Sequence, residues 1–134
     1  MIVAISMDRE FDNYTEFYTS LVDISAASGF KEFCGLESPI LSRFITEAKK
    51  PVQTFKIDWG VSKSTPQEFV KMNKNNKPYN SQAPFDAAKK VVAYATHVVE
   101  FGKGDFNINK LAKNNLQVVR ADAKVAAAAK RYKF

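Results

Sequence analysis

The sequence predicts an α/β fold: a three-layer Rossmann-like sandwich around a five-stranded parallel sheet, with strand order 3-2-1-4-5. Three observations predict it. The chain opens on Ile2-Val3-Ala4-Ile5, apolar on both faces, as suits the buried middle of a parallel sheet. Strand-length and helix-length apolar segments then alternate almost strictly. Finally, 134 residues, 46% apolar and 25% charged, with eleven Phe, are enough for one packed domain.

The elements follow in order. Asp12 or Asn13 caps a first helix, carried by Tyr14, Phe17, Tyr18, Leu21 and Ile24 at helical spacing and ended by Gly29. Lys31–Gly35 is the second strand. Ser38-Pro39 starts the next helix, with serine at the cap and proline in the first turn. Pro51 breaks that helix, and Val52–Ile57 is the third strand. Residues 58–81, with Gly60, Pro66, Pro78 and an Asn/Lys cluster, read as a long polar connection in which Pro66–Met72 forms one or two helical turns. Pro84–Ala95 resumes a helix, and Thr96–Phe101 is the fourth strand. After the turn Gly102-Lys103-Gly104-Asp105 come a short helix, Asn107–Asn114, and a fifth strand, Leu116–Val119. The domain is read as residues 1–120. Residues 121–134 form a basic, alanine-rich tail that is expected to be helical.

Charge is unevenly placed. Residues 1–48 hold three basic groups against eight acidic ones, whereas residues 49–90 hold nine lysines against three acids. Such polarity points to an oriented encounter with a charged partner, an acidic protein or a nucleic acid; lysine-driven solubility is the simpler alternative. The lack of an apolar run of about 20 residues argues against a membrane span. The lack of a basic and then apolar leader argues for a cytoplasmic protein. A single cysteine, Cys34, excludes an internal disulfide and a cysteine-based zinc cluster, and a single histidine, His97, leaves little for a metal. No cofactor and no catalytic residue is expected.

In a parallel sheet, ligands bind beyond the carboxyl ends of the strands. Arg9 stands there and would clamp a phosphate or carboxylate, or else pair with Asp8, Asp12 or Glu37. Asp58 and Trp59 follow the third strand; Trp59 would stack on a base or act as a lid. Gly102, Lys103 and Gly104 would wrap an anion or form a plain turn. Asp58 with Glu37 would form an acid/base pair, a reading set aside because neither a nucleophile nor metal ligands stand nearby. His97 and Cys34 read as structural, and the lysines of 71–77 and the Lys130–Lys133 end as solvated charge or nucleic-acid contacts.

These segments resemble a family. Met7-Asp8-Arg9-Glu10-Phe11 is similar to a G-x-R-x-F motif, with Met7 in place of glycine. Cys34-Gly35-Leu36-Glu37-Ser38-Pro39-Ile40 keeps one glycine of a G-G-x-x-G-A-D loop. Asp58-Trp59 matches a D-W pair, Ala87-Ala88 replaces an Arg-Asn pair, and Gly102-Lys103-Gly104 is what remains of D-G-x-S-x-G-T. Together they resemble the single-domain branch of the SLOG superfamily of DprA-like and LOG-like Rossmann proteins. The resemblance implies binding of nucleotides or nucleotide-derived signals and, in members with an intact glycine-rich loop and a glutamate, hydrolysis of an N-glycosidic bond. Here Pro39 brings no N–H, Ser38 caps its own helix and Glu37 adds negative charge, so a phosphate would meet repulsion. The leading expectation is therefore a non-enzymatic binding or adaptor protein on a degenerate nucleotide-binding scaffold, suited to a viral or mobile-element accessory protein that engages a host protein. A nucleotide-ligand module or weak hydrolase is the first alternative, a lysine-based nucleic-acid binder the second. Homo-oligomerisation through helices stays open.

Overall fold

The computed structural model describes residues 1–30 and 32–119; the expected helical tail, and Lys31 at the head of the second strand, lie outside them. The order is β1 (Ile2–Met7), α1 (Tyr14–Ser28), β2 (Glu32–Leu36), α2 (Pro39–Ala48), β3 (Val52–Phe55), a 3-10 turn (Gln67–Phe69), β4 (Val70–Met72), β5 (Pro78–Asn80), α3 (Ala83–Tyr94), β6 (His97–Phe101), α4 (Phe106–Ala112) and β7 (Gln117–Val118). Five strands form one parallel sheet ordered β3-β2-β1-β6-β7. The expected order 3-2-1-4-5 differs in its last two labels. The difference arises because β4 and β5 form a separate antiparallel hairpin that the sequence reading did not count.

That hairpin corrects the reading of residues 58–81 as a polar connection with helical turns; the helical part shrinks to Gln67–Phe69. Asn73 builds its turn. The Asn73 side-chain oxygen accepts from the amides of Asn75 and Lys77, at 2.8 and 3.0 Å. Asn76 takes a left-handed φ of 56°, which asparagine tolerates better than most residues.

Alternation along β1 makes the three layers. Val3 and Ile5 point to one face, where they meet Phe17, Leu21 and Ile24 of α1 and Leu41 and Phe44 of α2. Ala4 points to the other, towards Val91 and Val92 of α3 and Ile108 of α4. Small residues, Ala4, Cys34 and Ala88, line this second face and let α3 lie close. The first face is aromatic: Phe44 meets Phe17 and Phe33 edge-on at 5.4 and 5.8 Å. Each such side chain contributes about 1.5–3 kcal/mol by burial, with roughly 1 kcal/mol more from a well-set ring pair. Arg43 of α2 lies 3.9 Å over the Tyr14 ring of α1 and bonds Glu47 at 3.0 Å, which ties the two outer helices together.

The helix ends follow their sequence signals. Asn13 caps α1, Ser38 caps α2 and Asp105 caps α4, each through its side-chain oxygen. Gly29 closes α1 at a left-handed φ of 73°. Among the described residues, no helix is long and apolar enough to cross a membrane.

Candidate functional site

The carboxyl ends of β1, β2 and β3 open into a crevice of about 390 Å³. Ile5, Phe11, Leu36, Ile40, Ile57 and Ile108 give it an apolar wall. Among the described residues its polar lining is mainly acidic: Asp8, Asp12, Glu37 and Asp105 face a single cation, Arg9. Among the described residues Arg9 pairs with none of these carboxylates, so the ion pair expected from the sequence is not formed.

Three helices begin at this crevice, and a side chain caps two of the starts, those of α2 and α4. At α2, Ser38 Oγ accepts from the Leu41 amide at 3.2 Å and Pro39 has no N–H to offer. At α3, Pro84 stands in the first turn and lines the crevice. At α4, Asp105 Oδ1 accepts from the Ile108 amide at 2.9 Å. A phosphate needs free amides at such a terminus.

The α4 closure is anchored from inside the sheet. Ser6, fully buried in β1, accepts from the Asp105 amide at 2.8 Å and donates to Asn109 Oδ1 at 2.6 Å. Ser6 stands near the end of β1 (Ile2–Met7). Its only signal was a hydroxyl breaking an otherwise apolar run, and Asn109, about 100 residues away, carried none.

The other expected site residues do not join Arg9. Asp58 lines a separate, more open depression of about 440 Å³ beside Lys56, Ser62, Thr65, Asp86 and Lys90. There its Oδ1 accepts from the Gly60 amide at 3.0 Å, an ordinary local turn. Trp59 is 41% exposed and meets Tyr79 of β5 edge-on at 5.9 Å. It thus sits against the hairpin and away from the crevice lining. Gly102 and Gly104 have φ of 62° and 72°, and the Gly104 amide bonds Phe101 O at 3.0 Å. A Cβ on Gly102 would strike the Asp8 carboxylate, and one on Gly104 would strike Asn109 and Glu100. Both glycines are therefore required by the turn's own conformation, with Lys103 exposed between them.

Cys34 is buried, with its thiol 3.7 Å from Val91 O, and burial pushes its pKa up to about 12. His97 lies between Thr96 Oγ1 at 2.7 Å and Gln117 Oε1 at 3.0 Å, with Phe30 edge-on at 4.6 Å. Both occupy structural positions. Among the described residues no group of three His, Cys, Asp or Glu side chains is placed to hold a metal ion.

No known protein family, curated protein or solved structure matches the chain.

Proposed function

We propose that this is a non-catalytic binding protein: an adaptor on a nucleotide-type scaffold whose phosphate cradle has been closed. The observation that carries the reading is the state of the helix starts at the crevice. Ser38 and Asp105 occupy amides that a phosphate would use, and Pro39 and Pro84 contribute none. The SLOG-like motif positions support the same reading, since the residues replaced are those that would approach a phosphate. The partner expected for the lysine-rich side is an acidic protein, met by Lys71, Lys74 and Lys77, all exposed on or beside the hairpin.

A second reading is favoured by one juxtaposition. Lys71 pairs directly with Tyr79 across the hairpin, and Tyr79 touches Trp59. Cations beside aromatic rings suit single-stranded nucleic acid, whose bases stack while its phosphates pair. That binding would weaken steeply with salt.

Thermal unfolding against AMP and ADP-ribose tests the main reading. A ligand at a hundredfold excess over its Kd stabilises the folded state by about 2.7 kcal/mol, a readily visible shift. A flat response is expected from both compounds. Stabilisation by AMP that disappears in Arg9→Ala would overturn the adaptor reading and restore the nucleotide-ligand one.

A further inference from the structure

We infer that the crevice takes a small organic cation: an ammonium or guanidinium group carried on an apolar body. The inference deepens the binding role proposed above and rests on it. Three features select this chemistry.

The first is size and wall. A cavity of about 390 Å³ falls in the range of small-molecule sites, and its Ile, Leu and Phe lining rewards an apolar body. The second is charge. Four carboxylates against Arg9 leave the lining three charges negative. Asp105 already answers the start of the seven-residue α4, and the starts of α2 and α3 oppose the rest with about half a positive charge each, or roughly 1 in total. The carboxylates win, so the crevice is negative in a chain whose formal net charge is +6. Glu37 and Asp12 are exposed at the rim, where they meet an incoming group without first being desolvated. The third is the kind of cation. With no three metal-ligating side chains grouped among the described residues, a bare metal ion lacks its coordination shell, whereas an ammonium needs only scattered acceptors.

Arg9 then takes an unexpected part. Among the described residues it is the one positive group in the lining, and its charge repels an incoming cation. Its removal should strengthen binding of a cation, the reverse of its effect on a phosphate.

The experiment uses three probes with one body: phenethylamine, 2-phenylethanol and 3-phenylpropanoate. Binding is followed by NMR of the isoleucine methyls, with Ile40, Ile57 and Ile108 reporting the crevice. The amine should shift these methyls and bind about tenfold more tightly than the alcohol, with the carboxylate weakest. Asp12→Asn with Glu37→Gln should erase the amine's advantage and leave the free protein's unfolding temperature unchanged, because both side chains are exposed. Arg9→Ala should tighten amine binding. If the alcohol or the carboxylate binds as well as the amine at these methyls, the cation inference fails while the binding role stands. If none of the three binds, the inference fails as well. AMP shifting the same methyls would instead remove the reading beneath it.

Discussion

Ser6 shows how one buried side chain sets the site. Its hydroxyl accepts the Asp105 amide and donates to Asn109, so the start of α4 is fixed to the central strand. Ser6→Ala leaves a half-buried N–H and a half-buried amide oxygen without partners, which should cost about 1 kcal/mol, read as a lower urea midpoint at unchanged slope. Cys34 makes a different prediction. Its thiol stays protonated in the folded state up to about pH 12, but ionises in the unfolded chain near its ordinary value of 9.0. The unfolded state therefore binds fewer protons between these values, and stability falls as pH rises through that window, by on the order of 1 kcal/mol per pH unit. Urea titrations at pH 8, 9 and 10 should show the decline, and it should be shallower in Cys34→Ala. The buried thiol could be read from its place in an apolar strand. The partnership of Ser6 with Asn109 could not, because nothing local relates residues that far apart in the chain.

The helix starts are where sequence and site agree most closely. Ser38-Pro39 reads directly as a cap and a first-turn proline, and those residues also keep an anion out. Ser38→Ala should destabilise α2 by about 1 kcal/mol in thermal or urea unfolding, since the Leu41 amide loses its acceptor. The hairpin is where reading failed. Its strands are three residues each, too short for alternation to register, and they are rich in Lys, Asn and Pro, which argue against strand. What makes it a hairpin is the Asn73 side chain gripping the turn, and the docking of Tyr79 on Trp59. Trp59 follows the third strand, as the sequence places it, and its partner there is Tyr79 of the hairpin. Asp58 and the Gly102–Gly104 turn follow the third and fourth sheet strands, where the sequence places them, but Asp58 faces a separate depression. Strand ends can be located from sequence, but the direction in which a loop then turns is decided by contacts such as Gly102 against Asp8.

At the scale of the molecule, the parallel sheet was legible because apolar periodicity and alternation are local signals, and the right-handed crossover rule does the rest. The crevice chemistry was legible only as an acidic first half of the chain; the fold gathers three of those carboxylates, Asp8, Asp12 and Glu37, with Asp105 around one opening. Three exposed lysines, Lys71, Lys74 and Lys77, stand instead on or beside the hairpin. A partner held there by charge should be released by salt and lost in a Lys71→Glu, Lys74→Glu, Lys77→Glu variant, as measured by pull-down across a salt series. One feature of that side reaches further. The Asn80 amide bonds the Trp59 carbonyl at 2.9 Å, so the excursion between them returns to its own starting point. The hairpin is thus an appendix on the β3-to-α3 crossover, not a link in it. Replacing residues 60–79 by a short glycine bridge should yield a chain that still unfolds cooperatively, within about 1–2 kcal/mol of the parent, with the isoleucine methyl spectrum of the crevice preserved. The same doorway admits traffic in the other direction: a foreign loop or reporter grafted there would ride on the sheet without disturbing it, and evolution could exchange what this protein touches without rebuilding what holds it up.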